Sequence, residues 1–234
     1  MILYIIGTKG SAPIKSQNIK KFTQCRIVSN KNNITIDAGN VFKHPADLVL
    51  ITHLHKDHIE KFHTIPQGTL VWAPDKSFIP ILRKKNPRVK LNLINPNRTV
   101  KYKKFAITPF EVQHSKTART FGYRINADNK NIVWVPDFKN LFGTSKFLKN
   151  LDYLFIGASS LNKDIASSKG ELKGQQALTN TMEWLKMQKV LPGKIYSIHH
   201  GQDLIPLKVK MEFVQKSFPG YNVSSTFDGQ LIRL

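Results

Sequence analysis

The sequence has only one cysteine, no long apolar run and few acids. Cys25 alone excludes an internal disulfide and a metal site of the paired-cysteine type. No stretch reaches the length of a membrane span. The apolar residues 1–6 are short and lack a basic flank, so they predict a first β-strand rather than a signal peptide. Together these absences favour a cytoplasmic protein with no membrane partner.

Acidic residues number 15 against 36 Lys and Arg, which gives a formal net charge of +21. A chain this basic attracts polyanions, and phosphate backbones are the commonest such partner. The alternative is that Lys and Asn are abundant because of genome composition, with the lysines spread evenly over a solvated surface.

A chain of 234 residues, 41% of them hydrophobic, suits one domain, 1–234. Periodicity alone indicates only a mixture of α and β, but the strands come in runs with helices inserted mainly later. This order suggests two mixed sheets covered by helices, a four-layer αββα sandwich of the α/β (α+β) class. Helices are predicted at 76–85, 144–150, 175–188 and 207–217. Strands are predicted at 1–6, 25–29, 33–37, 48–52, 69–73, 91–94, 105–112, 121–126, 131–135, 151–156 and 194–198, with two more in 221–234.

The densest cluster of chemistry-bearing residues follows the apolar strand 48–52. His53, His55, Asp57 and His58 fall within six residues, and imidazole nitrogens and carboxylate oxygens are ligands that zinc accepts. In an extended backbone the His-x-His spacing directs two imidazoles to one point. Asp57 and His58 follow after a turn and would face a second point nearby. Loops without a function favour Gly, Asn and Ser over His, so a solvated surface turn is the weaker interpretation.

This segment resembles the His-x-His-x-Asp-His signature of the metallo-β-lactamase superfamily, and later motifs occur in the family's order. Asp37 resembles the family's first motif, an Asp that braces the metal loop from behind. His114, Asp137 and His199 resemble the third, fourth and fifth motifs, and Phe227-Asp228-Gly229 resembles the closing strand turn. The resemblance covers nearly the whole chain and implies the αββα fold.

The resemblance also implies a set of metal ligands. His53, His55 and His114 would hold one ion, Asp57, His58 and His199 a second, and Asp137 would bridge them. His199 is preferred over the adjacent His200 because it directly follows the apolar strand. His44 and His63 are interpreted as ordinary surface residues. The expected cofactors are two divalent ions, Zn²⁺ or alternatively Mn²⁺.

Two such ions can share a bridging water and lower its pKa towards ~7, which makes hydroxide available at neutral pH. The same ions can polarise a phosphoryl or carbonyl oxygen. Asp57 is also expected to orient the nucleophile or accept its proton. Hydrolysis is therefore the expected reaction.

The superfamily cleaves many kinds of bond, so the fold does not decide the substrate. Three features favour phosphodiesters, and the net charge of +21 is the first. Residues 7–13 resemble the glycine-rich first loop of the ribonuclease Z family. Residues 114–116 and 120–123 resemble the corresponding stretches of the phosphoribosyl cyclic phosphate phosphodiesterases.

The chain also departs from these relatives. It has no evident long basic arm between His58 and His114, and Glu171 stands where ribonuclease Z has a histidine thought to assist the leaving group. A Glu with a raised pKa can act as a general acid, and His200 is another candidate for this role. Cys25 alone cannot supply the structural zinc site of the phosphonate-pathway enzymes.

Basic residues offer surfaces for a phosphate-containing substrate. Lys116 and Arg119 follow His114 and are expected to meet a substrate phosphate, with Arg as a bidentate donor. Phe22 and Tyr102 lie among the other basic residues and could stack on bases, unless these are solvated loops with core aromatics. Those other residues are Lys15, Lys20, Lys21, Arg83, Lys84, Lys85, Arg88, Lys101, Lys103 and Lys104.

Three functions are consistent with the sequence. The favoured one is a two-metal phosphodiesterase acting on RNA, DNA or nucleotides. The second is a small-molecule hydrolase of a lactone or thioester, and the third is a nucleic-acid-binding protein with an inactive site. Dimers are common in the resembling families, so a homodimer is expected.

Overall fold

The computed structural model describes residues 1–10, 18–115, 119–166, 174–201 and 205–234. Two seven-stranded sheets form the centre of the molecule, and apolar side chains of both sheets meet between them, including Leu50, Tyr123 and Trp134. A separate two-stranded hairpin lies outside them. The architecture is the predicted α/β sandwich of two mixed sheets.

The first sheet has the strand order β16-β1-β2-β3-β4-β5-β6. Strands β3 to β6 run parallel to one another, which suits strands that alternate with loops and helices. The bounds are β1 Ile2–Gly7, β2 Gln24–Ser29, β3 Asn32–Ile36, β4 Leu48–Leu50, β5 Leu70–Ala73, β6 Lys90–Leu93 and β16 Leu231–Arg233.

The second sheet has the order β15-β14-β11-β10-β9-β8-β7. Strands β10, β11, β14 and β15 are parallel, whereas β8 and β9 form an antiparallel pair. The bounds are β7 Val100–Tyr102, β8 Phe105–Val112, β9 Thr120–Ala127, β10 Lys130–Val135, β11 Tyr153–Gly157, β14 Lys194–Ile198 and β15 Val223–Ser225. The hairpin consists of β12 Ile165–Ala166 and β13 Gly174–Gln175.

Four α-helices are described in this part of the chain: α1 Lys56–Ile59, α2 Phe78–Lys85, α3 Leu178–Met187 and α4 Leu207–Ser217. The longest two bury one face each on the sandwich. Leu178, Met182 and Leu185 recur at helical spacing on α3, and all three are buried. No helix in the described residues is long and apolar enough to cross a membrane.

The prediction of a helix at 144–150 is wrong. Only a single 3-10 turn, Ser145–Phe147, forms there. The guanidinium of Arg124 donates to the backbone carbonyls of Phe147 and Lys149, both at 2.9 Å. These carbonyls accept from a side chain of β9, and the 3-10 turn does not continue as a helix.

Strand direction determines where the chemistry-bearing residues meet. Strands β3 and β4 are parallel in the first sheet, and β8, β10 and β14 point the same way in the second, because the β8–β9 and β9–β10 pairs are both antiparallel. The carboxyl ends of both sets lie at one end of the sandwich, since residues that follow β4 contact residues that follow β8 and β14. Asp37, the segment 53–58, His114, Asp137 and His199 follow these ends.

Candidate metal centre

One group of three imidazoles lies at the carboxyl ends of β4 and β8. His53, His55 and His114 each offer a ring nitrogen, and these atoms all lie within 4.8 Å of one another. His55 Nδ1 is 3.2 Å from His114 Nε2. His53 and His114 are buried and His55 is half-buried. This is the set that the resemblance assigned to one ion.

A second group comes from helix α1 and the end of β14. Ligand atoms of Asp57, His58 and His199 also lie within 4.8 Å of one another. His199 Nε2 is 3.1 Å from Asp57 Oδ2, and His58 Nε2 is 3.6 Å from the same oxygen. Residues 142 positions apart in the sequence thus meet in one buried cluster.

Asp137 lies between the two groups, and its two oxygens face different ones. Oδ1 is 3.8 Å from His114 Nε2 in the first group. Oδ2 is 2.9 Å from His58 Nε2 and 3.2 Å from His199 Nε2 in the second. A carboxylate in this position can share its oxygens between two neighbouring cations.

Asp37 sets the orientation of two imidazoles from behind the cluster. Its Oδ2 lies 2.7 Å from His58 Nδ1, so that ring nitrogen donates its proton away from the cluster. The Thr52 hydroxyl donates to Asp37 and lies 3.1 Å from His53 Nδ1, from which it can accept. Both rings therefore direct Nε2 into the cluster, and Nε2 is the nitrogen that can bind a metal ion.

Ser159 and Gly10 both hold His199 in place, and the sequence predicted neither contact. The Ser159 hydroxyl donates to the His199 carbonyl oxygen at 2.7 Å, so the ring Nδ1–H, 3.2 Å from Ser159 Oγ, is the donor there. Gly10 lies against the ring, and a Cβ at this position would be 2.6 Å from His199 Cε1. The backbone of His199 is left-handed, with φ of 53°. A non-glycine residue in this region costs about 1–3 kcal/mol, which the surrounding contacts must offset.

Burial and the neighbouring carboxylates shift the pKa values of the cluster's histidines in different directions. Burial lowers the pKa of His53 well below its ordinary value and that of His55 to about 4, so both rings are neutral at neutral pH. Burial would also lower the pKa of His58, but the carboxylates of Asp37, Asp57 and Asp137 raise it well above the ordinary value. The cluster therefore favours a positive charge at its centre.

The two central acids are ionised at neutral pH. Burial would raise the pKa of Asp57 and Asp137, but His58 and His199 lower both below the ordinary value. His53 Nε2 is a buried ring nitrogen with no hydrogen-bond partner among the described residues. An imidazole lone pair aimed at carboxylates and other imidazoles suits a cation, so the donor set supports binding of a divalent metal ion.

His200 takes a different position from His199. It is fully buried, and its Nε2 lies 3.1 Å from the Thr226 carbonyl oxygen. Burial, with a contribution from Lys210, lowers the pKa of the ring to about 3. A buried ring that bonds a backbone carbonyl is poorly placed to protonate a leaving group, which does not favour the predicted catalytic role of His200.

Arg119 contacts two acids of the same chain. Its Nη1 pairs with Asp75, and its Nε donates to Glu111 at 2.8 Å. Its guanidinium thus lies between two carboxylates, whereas the sequence predicted a contact with a substrate phosphate. Lys116 and Glu171 lie outside the described residues. His44 and His63 are exposed.

The aromatic and basic residues considered for base stacking lie in two places. Near the metal centre the backbone of Lys9 forms isolated β-bridges with Phe22 and with His200. The Tyr102 hydroxyl instead donates to the Asp47 carbonyl oxygen, and its ring packs edge-on against Trp72. Lys103 and Lys104 are at the start of β8, the end opposite to His114. Lys15 lies outside the described residues.

The family assignment agrees with this geometry. A model of the beta-lactamase superfamily domain matches residues 33–200, a range that includes Asp37 and every proposed ligand. The chain therefore belongs to this family, a superfamily of metallo-hydrolases with phosphodiesterase-like members. No curated protein sequence matches the chain significantly.

Solved structures of low sequence identity share the fold over the whole chain. Zn²⁺-bound PqqB from Methylobacterium extorquens is 14% identical, with a TM-score of 0.79 and 100% of both chains covered. A diphosphatase of the PhnP family is 17% identical, with a TM-score of 0.73 and 99% of this chain and 96% of that chain covered. The short form of human tRNase Z is 14% identical, with a TM-score of 0.67 and with 100% of this chain and 99% of that chain covered.

Proposed function

We propose that the chain is a two-metal phosphodiesterase that hydrolyses phosphodiester bonds in nucleic acid or nucleotides. The observation that carries the proposal is the position of Asp137, whose two oxygens face two separate groups of ligand atoms. His53, His55 and His114 would hold one divalent ion, and Asp57, His58 and His199 the other. Zn²⁺ suits this nitrogen and oxygen set, and Mn²⁺ is the alternative.

Bound divalent ions would supply Lewis acidity that polarises a phosphoryl oxygen and acidifies water. The chain's own residues prepare the site for this chemistry. Asp37 and Thr52 hold Nδ1 of His58 and His53, so Nε2 is the nitrogen that each ring would offer to a cation. Ser159 does the same for His199. His58, whose pKa the carboxylates raise, would give up its Nε2 proton on binding.

Asp57 is the candidate for orienting the nucleophile. Its pKa is lowered, so it is a carboxylate at neutral pH, and its Oδ2 lies at the edge of the second ligand group. A carboxylate there can accept a hydrogen bond from an attacking water and hold it in line with a bound phosphate. This role and the metal-ligand role are compatible.

Two observations support phosphodiesters over carbonyl substrates. The net charge of +21 concentrates phosphate-bearing molecules at the protein. Two of the structural neighbours, a diphosphatase and a tRNase, act on phosphate esters or anhydrides by their names. Every ligand residue of the family motif is present, which argues against the alternative of a nucleic-acid-binding protein with an inactive site.

A substrate panel tests the proposal. The protein would be incubated with Zn²⁺ or Mn²⁺ and with labelled RNA, DNA, cyclic nucleotides and a homoserine lactone. We expect cleavage of at least one phosphodiester, loss of that cleavage in His55→Ala, and retention in His63→Ala, an exposed histidine away from the site. Lactone hydrolysis without phosphodiester cleavage would contradict it.

A further inference from the structure

The end of the sandwich opposite to the metal centre carries a concentration of cations. Because the strands that lead to the metal centre are parallel, the turns before them all lie at this opposite end. Several of these turns and strand starts carry Lys or Arg. We call six of them the far-end face: Lys31, Arg88, Lys104, Lys149, Lys189 and Lys194. Five of the six are exposed and Lys194 is half-buried.

Acids at this end do not neutralise the far-end face. Among the described residues, the turns there contain three acids. Asp47 pairs with Lys103 at 3.0 Å, Asp152 pairs with Lys130 at 3.4 Å, and Asp128 pairs with the chain's amino terminus at 3.5 Å. Each of these partners is a positive group outside the six, so the far-end face keeps its excess of positive charge.

The far-end face cannot belong to the metal centre. Lys104 directly precedes β8 and His114 follows its other end, and the eight residues of the strand span about 26 Å at ~3.3 Å per residue. A phosphate held at the metal ligands is therefore out of reach of Lys104. The charge at this end calls for a separate explanation.

The arrangement of the cations favours a nucleic-acid backbone. Lys194 begins β14, and Lys149 and Lys104 precede β11 and β8 of the same sheet. The four strand steps from β14 to β8 cover roughly 19 Å. Lys31 and Arg88 add charge from the other sheet, about 10 Å away. A broad, extended set of lysines matches a polymer with regularly spaced phosphates.

A lipid surface fits this end less well. Peripheral membrane binding combines basic residues with a substantial apolar face. The strongly exposed apolar side chains near this end, Met187 and Leu191, lie together at the end of α3 and just after it, whereas the cations extend across both sheets.

We propose that the far-end face is a second interaction surface, which binds the phosphate backbone of a nucleic acid at the end of the molecule opposite to the metal centre. It would dock the protein on a polymer while the metal centre stays open to solvent. Binding there does not depend on which bond the metal centre cleaves.

Fluorescence anisotropy with a labelled RNA oligonucleotide tests the proposal, with a chelator present so that no cleavage occurs. The test variant combines Lys31→Gln, Lys104→Gln, Lys149→Gln and Lys189→Gln. A control of equal charge change combines Lys43→Gln, Lys76→Gln, Lys163→Gln and Lys208→Gln, which are exposed lysines outside the far-end face. Thermal unfolding would establish that both variants are folded, and the pair Lys104→Gln and Lys149→Gln is a milder second test.

We expect the far-end variant to bind RNA at least about ten-fold more weakly than the control, with the salt dependence of log K reduced by about 3. Its hydrolysis of a small phosphodiester should equal that of the unmodified protein. Equal losses in both variants would mean that the charge acts diffusely and would overturn the proposal. Binding of phosphatidylserine vesicles, but not of RNA, through the same lysines would also overturn the proposal.

Discussion

Asp37 Oδ2 lies 2.7 Å from His58 Nδ1, and both side chains are fully buried. This contact fixes the ring so that Nε2 faces Asp137. A carboxylate behind a ligand imidazole orients the ring and raises its basicity.

Replacing Asp37 with Asn should weaken metal binding without removing a ligand. We expect a loss of about 10- to 100-fold in affinity at the site of Asp57, His58 and His199, because the His58 proton is no longer fixed by a carboxylate. Competition with a chromophoric chelator measures this affinity. Asp47→Asn is the control, since Asp47 pairs with Lys103 far from the site. Unchanged affinity in Asp37→Asn would show that the contact is only structural.

Gly10 should be intolerant of even one added methyl group. A Cβ there would lie 2.6 Å from His199 Cε1 and 2.9 Å from Nδ1, so either the ring or the loop must move. We expect Gly10→Ala to lower hydrolysis by about ten-fold or more, since small displacements of a ligand cost catalysis disproportionately. Gly220→Ala is the matched control, because nothing lies within 4 Å of its added Cβ. Equal activity of the two variants would contradict the packing.

His200 should make folding sensitive to acid. Burial lowers its folded pKa to about 3, below the value of ~6.5 expected in the unfolded chain. Neutral His200 therefore contributes full stability above pH ~6.5, and this contribution is lost as the pH falls from there towards 3, because only the unfolded chain binds the proton. By pH 4 the loss is roughly 3 kcal/mol.

Urea unfolding of the wild type and His200→Gln between pH 7 and pH 4 measures this contribution. We expect the free energy of unfolding of the wild type to fall more steeply than that of the variant. Parallel pH profiles would show that His200 does not titrate on unfolding.

Arg119 should act on stability more than on substrate binding. It pairs with Asp75, which is 6% exposed, and with Glu111, but the arginine is itself half exposed. Solvent screening therefore limits the expected cost of Arg119→Gln to about 1 kcal/mol of unfolding free energy. A double-mutant cycle with Asp75→Asn measures the coupling, and KM for a phosphodiester should change little. A large rise in KM with unchanged stability would restore the substrate-binding role.

The sequence predicts the candidate metal ligands better than the residues that hold those ligands in place. The spacing from His53 to His58 after a buried strand is local, so the motif can be read directly from the chain. Ser159 and Gly10 reach His199 only through the sheet order and the loop before β2, which no local pattern encodes. The single helical turn α1 was likewise indistinguishable from a turn, because four residues carry no periodicity.

The other errors also arise from tertiary contacts. The segment 144–150 has residues typical of a helix, but Arg124 donates hydrogen bonds to two of its backbone carbonyls. The far-end face could not be predicted either, because Lys31, Lys104 and Lys194 are separated in sequence and meet at one end only through the direction of their strands. Strand positions were largely predicted, whereas the short β7 was missed as a strand.

Metal content and hydrolysis measured on the same sample test the central claim most directly. The purified protein would be analysed for bound metal, stripped with a chelator, and assayed with bis(p-nitrophenyl) phosphate before and after Zn²⁺ or Mn²⁺ is restored. The account predicts about two ions per chain, activity that disappears on chelation and returns with metal, and loss of both in Asp137→Ala. A stripped protein that takes up no metal, or hydrolysis that persists without it, would contradict the account.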